Sequence, residues 1–406
     1  MQAILKQTFT ALKYPNYRLW FAGQLVSMIG TWMQTTAQGY LIYELTHSPT
    51  YLGYVGFASG APSWFFMLYG GVVADRVSRR NLLVATQTAM MILAFILATL
   101  TFWEVIQPWE IIVLAVGLGI ANAFDAPARQ SFVIELVNYE DLSNAISLNS
   151  SMFNMATVVG PAVSGITYAA FGPTWCFFIN GLSFIAVIMA LILMKLPPIN
   201  TPPSNTSALT DIKEGFRYVA ANPLIRTLIT IPAVLSIFSL SFMTLLPAWS
   251  VTILHGDATT NGLLQSARGL GSLSAALMVA TLGQIKFKGK LLTIGSFSFP
   301  FLLLIFAEMR WLPLSLLALV GVGWGFMLIM TMINTSIQML VSDDMRGRVM
   351  SIYTLSFFGL IPVGALVTGG LAEWIGEPNT IVLGAIVSLI FAIHLWINVP
   401  KLRALA

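Results

Sequence analysis

Apolar runs long enough to cross a membrane follow one another through almost the whole chain. A bilayer core of about 30 Å needs about 20 consecutive, mostly apolar residues in a helix. Twelve such runs occur, roughly at residues 18–43, 50–74, 81–103, 109–128, 142–170, 174–194, 223–250, 259–282, 290–308, 311–338, 346–372 and 379–398. This pattern predicts an all-α membrane protein with twelve transmembrane helices.

The composition supports this class and excludes others. Hydrophobic residues make up 57% of the 406 residues and charged residues only 9%. A soluble domain carries roughly 25% charged residues because its surface must be wetted. Basic residues do not form a stripe interleaved with aromatics, so no nucleic-acid partner is expected. The expected partners are the lipid bilayer and a small-molecule substrate, and we expect the protein to act as a monomer.

The sequence also lacks the patterns of catalysis and of nucleotide-driven transport. It contains no G-x-x-x-x-G-K-[ST] loop, no nucleophile–base pair and no His/Cys/carboxylate cluster with metal-ligand spacing. We therefore expect no enzymatic activity, no metal and no cofactor. Transport against a concentration gradient must then be driven by an ion gradient, and we expect a proton gradient.

Basic residues are distributed unevenly between the two sides of the predicted spans. Eighteen of the 20 lysines and arginines fall on the side of the N-terminus, Arg310 falls on the other, and Arg268 lies inside a span. The positive-inside rule assigns the basic side to the cytoplasm. The charge pattern therefore predicts that both termini are cytoplasmic, and it supports the count of twelve.

A polar segment at residues 195–222 divides the chain into two predicted halves, 1–194 and 223–406. It contains PPINTPPSNTS, whose Pro, Ser, Thr and Asn content is typical of a flexible linker. The charged amphipathic stretch DIKEGFRYVA follows, and the part around Lys213 and Arg217 is expected at the membrane surface.

The two halves repeat each other. Shifting residues 137–165 by 204 positions overlays them on 341–369 without a gap, and the same shift pairs several glycines. These pairs include Gly117 with Gly321, Gly160 with Gly364, and Gly172 with Gly376. Six helices followed by six in the same orientation predict a parallel repeat about an axis normal to the membrane. Transporters built in this way bind substrate between the halves and alternate access by rocking.

The loop between the second and third spans carries a motif. Residues 71–80 read GVVADRVSRR, in which Gly71 would permit close helix approach and Asp75 could pair with a basic group or a helix N-terminus. Three arginines, Arg76, Arg79 and Arg80, would hold the loop at the cytoplasmic surface. The stretch resembles the G-x-x-x-D-R-x-G-R-R signature of the major facilitator superfamily, with Ser78 in place of its second glycine. In the alternative interpretation, the three arginines only determine the topology and have no role in transport.

Other stretches resemble one branch of that superfamily. These are YPNYRLWFAGQLVSMIG at 14–30 and FDAPARQSFVIELVNYEDLSNAISLN at 124–149. The pair Gly160-Pro161 followed by Gly165 resembles a motif of antiporter branches, and it would bend and tightly pack the fifth span. The branch includes siderophore exporters, macrolide and multidrug efflux proteins and lysophospholipid transporters. The resemblance implies a proton-coupled exporter of an amphiphilic molecule in a bacterial inner membrane.

Two other functions stay open. A lysophospholipid flippase would need no protons and would open laterally to lipid. A receptor or assembly partner would share this fold but would not transport. The absence of a sizeable domain outside the membrane argues against this alternative.

The first span carries polar residues on one face, a candidate lining of a substrate cavity. Gln24, Thr31, Gln34 and Gln38 follow one another at helical spacing. In lipid, such a face either lines a cavity or hydrogen-bonds another helix. Further candidates for the lining are Asn154 on the fifth span and Asn334 with Gln338 on the tenth.

Arg268 is the single residue that most strongly suggests a functional site, because it is a charged residue inside a predicted span. It lies near the middle of the eighth span, where a buried charge costs at least about 2.5 kcal/mol. It would anchor an anionic group of the substrate or pair with a titrating carboxylate. With a shifted boundary, its side chain would instead reach the outer surface.

The carboxylates lie at span ends, so the proton carrier is not identified from sequence. Asp125 is on the predicted cytoplasmic side, and Glu44, Asp257 and Glu373 are on the other. Asp125 and Arg129, four residues apart on a continuing helix, would pair and gate the cytoplasmic opening. Pro127 between them argues against a continuous helix.

Overall fold

A computed structural model describes residues 9–196, 208–282 and 287–405, and within these ranges the chain is nearly all helix with no strand. The predicted linker stretch at 197–207 lies outside the described residues. The first group of helices is α1 Pro15–Thr46, α2 Pro49–Gly60, α3 Pro62–Arg76, α4 Arg79–Phe102, α5 Pro108–Phe132, α6 Leu142–Phe171 and α7 Pro173–Leu193. The second is α8 Ala208–Ala221, α9 Pro223–Phe238, α10 Ala258–Leu282, α11 Lys288–Glu308, α12 Leu312–Leu340, α13 Asp343–Phe358, α14 Ile361–Ile375 and α15 Glu377–Asn398.

Prolines set many of the helix starts. The helices α1, α2, α3, α5, α7 and α9 each begin at a proline, where the fixed φ suits the first turn and the missing N–H has no partner to lose. In α5 the preceding Gln107 completes the start, because its backbone N–H donates to Glu110 Oε2 at 2.8 Å. This arrangement is a capping box.

Three predicted spans are interrupted. The second is split into α2 and α3, and the eleventh into α13 and α14. The seventh continues beyond α9 as a 3-10 helix, Leu240–Leu245, and a π-helix, Trp249–Ile253. Glycine and proline lie at the first two breaks, Gly60 with Pro62 and Gly359 with Pro362, and both residues weaken a continuous helix.

Eight segments of the described chain have the length and hydropathy of a membrane span. The other four predicted spans are the interrupted α2–α3 and the long helices α1, α6 and α10. Those three helices carry Gln, Asn, Ser, Thr and Gly, which lower their mean hydropathy without shortening them. Such residues in membrane helices belong at helix–helix contacts or cavities. The fold of twelve membrane helices in two pseudo-symmetric six-helix bundles is confirmed.

The chain forms two compact units. The first joins Met1–Leu41 to Ala61–Ser204, and the second joins Ile42–Gly60 to Asn205–Ala406. The second unit thus includes α2, which precedes the predicted linker by more than a hundred residues. The predicted halves 1–194 and 223–406 stay a prediction about the sequence repeat.

Within each unit, the repeat is visible in how paired glycines pack. A methyl group on Gly160 would lie 2.5 Å from Trp32 Cβ on the first span, and one on Gly364 would meet the carbonyl oxygen of Ser236 on the seventh. In the same way, Gly117 faces Leu93 of the third span and Gly321 faces Leu302 of the ninth. Equivalent glycines therefore contact equivalent helices.

A third glycine pair adopts the same unusual backbone. Gly172 has φ 86° and Gly376 has φ 80°. Each residue ends one helix and precedes the next, Gly172 between α6 and α7 and Gly376 between α14 and α15. Glycine is favoured here because a side chain would disfavour this left-handed conformation.

The predicted amphipathic stretch forms α8, which packs against α13. Glu214 Oε2 pairs with Arg348 Nη1 at 2.6 Å, and a methyl group on Gly215 would lie 2.9 Å from Ile352 Cδ1. Lys213 and Arg217 are exposed on α8. One part of the helix is therefore held by protein, and its basic residues stay free to meet solvent or lipid headgroups.

The helices α2 and α14 approach each other closely within the second unit. Three small or cyclic residues from each helix meet in antiparallel register, Gly53 opposite Gly369, Gly56 opposite Ala365 and Gly60 opposite Pro362. Small residues let helix backbones come close enough for extensive van der Waals contact in a membrane.

Candidate functional site

The polar residues of α1 are buried. Gln24, Gln34 and Gln38 are 1%, 4% and 6% exposed. Gln34 Oε1 accepts a hydrogen bond from Asn180 Nδ2 on α7 at 2.7 Å. Gln34 therefore bonds a neighbouring helix, which is the second of the two roles open for this face.

The remaining members of the face differ in their bonding. Thr31 Oγ1 donates to the carbonyl oxygen of Ser27 in its own helix at 2.9 Å. Gln24 Oε1 has no hydrogen-bond partner in the described part of the chain. A buried amide oxygen without a donor loses its hydration without replacement, so Gln24 is the member of the face best suited to receive a ligand donor.

Arg268 lies deep in α10. It is ten residues after Ala258, about 15 Å along the helix at 1.5 Å per residue, and its side chain is 8% exposed. The Nε atom has no hydrogen-bond partner, and no carboxylate of the described residues pairs with the guanidinium. The boundary of α10 is not shifted, and burial argues against a side chain that reaches the surface.

Polar residues precede Arg268 on the same helix. Asn261 and Gln265, at spacings of seven and three residues from it, are 0% and 9% exposed, and Gln265 Nε2 donates to Asn261 Oδ1 at 3.3 Å. Asn261 Nδ2 is without an acceptor in the described ranges. Together with Arg268 Nε, it provides a second buried N–H group available to an anionic or carbonyl oxygen.

The interrupted seventh span contacts α10. Its π-helix begins with Trp249, whose side chain is 0% exposed and whose Nε1 has no acceptor among the described residues. The Arg310 guanidinium lies 5.6 Å from the Trp249 ring centroid. π-Helical turns inside membrane or globular helices often occur at functional sites, and this one was not foreseen from the sequence.

The helix α10 is held in place by close packing on α12. Methyl groups on Gly271 and Gly323 would collide with the carbonyl oxygens of Val320 and Arg268. Ser272 Oγ also donates to the Gly323 carbonyl oxygen at 3.2 Å. The backbone at Arg268 is therefore fixed, so the guanidinium is presented from a rigid helix.

The other predicted lining residues lie elsewhere. Asn154 is half-buried and its Nδ2 donates to the Ser150 carbonyl oxygen in its own helix at 2.8 Å. Gln338, near the end of α12, is exposed and its Nε2 donates to Asn334 Oδ1 at 2.5 Å. Arg346 Nε donates to the Gln338 carbonyl oxygen at 3.1 Å. Asn334 and Gln338 thus belong to the helix end, away from the level of Arg268.

Asp125 is buried in the first unit, contrary to its assignment to a helix end. The helix α5 continues through Pro127, and Asp125 is 1% exposed. Its Oδ1 accepts hydrogen bonds from Thr86 Oγ1 at 2.9 Å and Gln87 Nε2 at 2.8 Å, both on α4. Its Oδ2 lies 3.4 Å from Arg129 Nε. The predicted pair of Asp125 and Arg129 is therefore present, and the doubt raised by Pro127 is removed.

In the motif at 71–80, Gly71 does not make the helix contact expected of it. No described atom lies within 4 Å of a methyl group on Gly71, whereas one on Gly70 would meet the Ala123 carbonyl oxygen of α5. The close approach of α3 and α5 is therefore made by Gly70, and the expectation for Gly71 is wrong. Asp75 lies in α3, and its side chain is outside the described part.

The arginines of the motif bind neighbouring segments. Arg79 Nη1 pairs with Glu135 at 2.6 Å, and Arg80 Nη2 donates to the Ile192 carbonyl oxygen at 2.6 Å, while Arg76 is exposed. These contacts tie the loop to the ends of α5 and α7. Arg79 and Arg80 therefore do more than determine topology. Glu135 was missed because nothing in the sequence places it beside residue 79.

Gly160 and Pro161 lie inside the continuous helix α6. The close contact of Gly160 with Trp32 and the Ile29 carbonyl oxygen of α1 agrees with the expected tight packing. Ser164 Oγ, one turn later, donates to the Met33 carbonyl oxygen at 2.8 Å.

Comparison with known proteins identifies the family. Residues 6–406 match the family model described as transmembrane secretion effector. The chain belongs to this family of the major facilitator superfamily. The staphyloferrin A transporter of Staphylococcus aureus is 24% identical over 370 residues, covering 89% of this chain and 91% of that protein. The enterobactin exporter EntS of Citrobacter koseri is 26% identical over 366 residues, covering 88% and 85%.

A third relative and the solved structures extend the comparison. The multidrug efflux pump Tap of Mycolicibacterium fortuitum is 23% identical, covering 94% of this chain and 95% of that protein. The nucleoside transporter NupG superposes with a TM-score of 0.75 at 14% identity, covering 94% and 98%. A bacterial homologue of the lysosomal transporter Spinster gives 0.68 at 15% identity, covering 96% and 97%. The protein is thus a multi-pass membrane transporter and not an enzyme, and the structural likeness shows the shared fold.

Proposed function

We propose that this major facilitator protein exports an amphiphilic small molecule with an anionic group from a bacterial cell. The molecule would cross the inner membrane by alternating access while protons move inward. Both termini would face the cytoplasm, and one chain would suffice. The relatives named as transporters of staphyloferrin A and enterobactin support a siderophore, and the efflux pump Tap supports export.

The observation that carries the proposal is Arg268. It is buried near the middle of the helix Ala258–Leu282, which is a predicted membrane span, and its guanidinium has no carboxylate partner in the described chain. An uncompensated charge there costs at least about 2.5 kcal/mol. An anionic substrate group would offset this cost through charge-assisted hydrogen bonds to the guanidinium. The site therefore favours anions and disfavours cationic drugs.

The buried N–H groups near Arg268 fit the same chemistry. Asn261 Nδ2 and Trp249 Nε1 are donors without acceptors in the described chain. A ligand with several carboxylate, catecholate or carbonyl oxygens can accept from such donors. A cation would find no acceptor in these groups.

The test uses purified protein in liposomes that carry a pH gradient and an enclosed pH-sensitive dye. Staphyloferrin A, enterobactin, a dye cation and a lysophospholipid are added one at a time. We expect proton movement with one of the two siderophores and none with the cation. Arg268→Ala should lower the rate about tenfold or more, because one charge-assisted contact is lost. Arg226→Ala is the matched control, since Arg226 is exposed.

Each outcome decides between the alternatives. Unchanged transport of every compound by Arg268→Ala excludes Arg268 as the anion anchor. Proton movement driven by the cation alone excludes an anionic substrate. If none of the compounds causes proton movement while the lysophospholipid still crosses the bilayer, the protein is a flippase and the proposal fails.

A further inference from the structure

Two segments of the second unit that are far apart in the chain meet at the start of α11. The short helix Pro400–Arg403, here α16, follows α15 and packs against α11. The backbone N–H of Gly289 donates to the Leu405 carbonyl oxygen at 3.0 Å. A methyl group on Gly289 would also collide with the carbonyl groups of Leu402 and Arg403. The backbones of the two segments are therefore in direct contact.

These segments carry three exposed basic residues, Lys290 on α11 and Lys401 and Arg403 on α16, which we call the basic cluster. Acidic residues of the same helices lie at their other ends. Glu308 is the last residue of α11 and Glu377 is the first of α15, each about 30 Å from the cluster at 1.5 Å per residue. The helix α12, which also packs on α11, contains no Asp or Glu. The positive charge of the cluster is therefore not balanced by its own helices.

Other basic residues on the same predicted side of the membrane are paired. Salt bridges there join Lys13 with Asp141, Arg79 with Glu135, Arg129 with Asp125, Arg346 with Asp343 and Arg348 with Glu214. Within the described ranges, no carboxylate pairs with a member of the basic cluster. Orientation in the membrane needs basic residues on this side, but it does not need them gathered from segments more than a hundred positions apart.

An exposed tryptophan indicates where the basic cluster lies relative to the bilayer. Trp396 is near the end of α15 and 47% exposed, and the adjacent Ile397 is 60% exposed. The Arg403 guanidinium carbon lies 5.0 Å from the centroid of the Trp396 ring, within the range of a cation–π interaction. Tryptophan in membrane proteins is enriched at the level of the lipid headgroups. The cluster therefore lies where headgroups meet the apolar surface of α15.

We propose that the basic cluster binds the headgroup of an anionic phospholipid in the cytoplasmic leaflet, with Trp396 as the positioning residue for Arg403. The start of α11 and the end of α15 are predicted to face the cytoplasm, and anionic lipids of that leaflet attract basic segments next to membrane helices. Lysine and arginine donate charge-assisted hydrogen bonds to phosphate oxygens, and the acyl chains lie along the apolar surface at Ile397. This inference does not depend on the proposed export, and its tests measure no transport.

The first test measures lipid binding directly. The full-length protein in a neutral detergent is titrated with phosphatidylglycerol or phosphatidylethanolamine, and native mass spectrometry measures the fraction of protein with bound lipid. We expect the wild type to bind phosphatidylglycerol about tenfold or more tightly than phosphatidylethanolamine. The triple variant Lys290→Gln, Lys401→Gln, Arg403→Gln should lose this preference, because each basic residue at an anionic lipid surface contributes about fivefold in affinity.

A matched control removes the same charge from three separate places. It is the triple variant Arg18→Gln, Lys213→Gln, Arg226→Gln, whose positions are exposed and lie on α1, α8 and α9. This variant should keep the wild-type preference for phosphatidylglycerol. An equal loss in both triple variants shows that net charge alone decides and overturns the proposal, as does a wild type that binds both lipids equally.

The second test concerns the positioning residue. Trp396→Leu removes the ring beneath the Arg403 guanidinium and should weaken phosphatidylglycerol binding about two- to fivefold, with binding of phosphatidylethanolamine unchanged. Trp374→Leu is the control, because Trp374 is 89% exposed near the end of α14 that is predicted to face outward. Equal affinities of wild type and Trp396→Leu for phosphatidylglycerol contradict the role of Trp396.

The third test separates a lipid site from a site for soluble phosphate. Glycerol 3-phosphate and inorganic phosphate, which carry the charge without acyl chains, are added at millimolar concentration to the lipid-bound protein. We expect neither to displace phosphatidylglycerol. Because a ligand of the folded state raises the melting temperature, the lipid should stabilise the wild type and the control triple variant but not the variant that lacks the basic cluster. Displacement by either soluble phosphate, or equal stabilisation of all three proteins, overturns the proposal.

Discussion

Single polar side chains inside the helices of this protein are bonded across helix contacts. Gln34 on α1 bonds Asn180 on α7, and Asp125 on α5 bonds Thr86 and Gln87 on α4. In a membrane each such bond contributes about 0.6 kcal/mol on average. The groups left without partners, Gln24 Oε1 and Arg268 Nε, are therefore the better candidates for ligand contact.

The hydrogen-bonded group of Lys13, Tyr14 and Asp141 predicts how the stability of the protein depends on pH. Asp141 Oδ2 lies 2.6 Å from Lys13 Nζ and accepts from Tyr14 Oη at 2.7 Å. The bond from Lys13, followed by that from Tyr14, lowers the pKa of Asp141 below its usual value of 3.8, and the same contact raises the pKa of Lys13 above 10.5.

Because the pKa of Asp141 is lowered by folding, its contribution to stability is present above the unfolded pKa. That contribution is lost as the pH falls through the folded value. We expect Asp141→Asn to lower the melting temperature in detergent by about 2 °C at neutral pH. The difference from wild type should disappear in acid. Glu140→Gln, at an exposed neighbouring position, should change neither value, and a difference that persists in acid would count against this ion pair.

At the scale of helices, close approach is decided by glycine. Gly70 meets α5, Gly160 meets α1, and Gly323 meets the backbone of α10. Lipid tails are as apolar as leucine, so helices in a membrane gain little from hydrophobic burial and depend on such packing. The sequence showed which residues are glycine, but not which of two adjacent glycines, such as Gly70 and Gly71, forms the contact.

The contact of α2 with α14 permits a test of this argument. A methyl group on Gly56 would lie 2.7 Å from Ala365 Cβ, whereas no described atom lies within 4 Å of one on Gly370. Gly56→Leu should therefore destabilise the protein by about 1–3 kcal/mol, and Gly370→Leu should not. Thermal unfolding in detergent measures both, and equal melting temperatures would contradict the packing seen here.

A hydrogen-bonded carboxylate lies at one end of the contact between α2 and α14. Glu373 Oε2 accepts from Ser48 Oγ at 2.6 Å and from Thr50 Oγ1 at 3.1 Å at the start of α2. A carboxylate at a helix N-terminus also interacts favourably with the helix dipole. The sequence offers Glu373 only as a candidate proton carrier, because 323 positions separate it from Thr50 and no local pattern reveals the contact.

At the scale of the whole molecule, the charge asymmetry predicts which loops face the cytoplasm. The exposed surface of the helices is apolar, with Phe65, Leu317 and Trp374 at 67%, 68% and 89% exposure. A water-soluble monomer rarely exposes contiguous apolar surface on this scale. Lipid therefore covers this surface, and the basic loops determine the orientation.

The single cysteine makes the orientation directly measurable. Cys176 is buried, and replacing it with alanine gives a background without thiols. In that background, Glu140→Cys should be protected from a membrane-impermeant maleimide in intact cells and labelled after lysis. Glu104→Cys should be labelled in intact cells. The reverse pattern would invert the predicted topology.

The sequence by itself determined the features that depend on local composition and on internal comparison. These are the helical membrane class, the repeat of 204 positions, the basic side and the position of Arg268 inside a span. Span length and charge bias are properties of short segments, so they are readable without coordinates. The sequence suggests the pair of Asp125 and Arg129 by its spacing, but the structure was needed to show that the helix continues through Pro127.

Only the tertiary structure decided which groups meet across helices. The sequence predicts that Asp125 lies at a helix end, whereas its bonds to Thr86 and Gln87 follow from the packing of α4 on α5. The partnering of Gln34 by Asn180 and the grouping of α2 with the second unit likewise join residues far apart in the chain. Helix faces and tilts in a membrane are set by contacts with neighbouring helices, which no single segment contains.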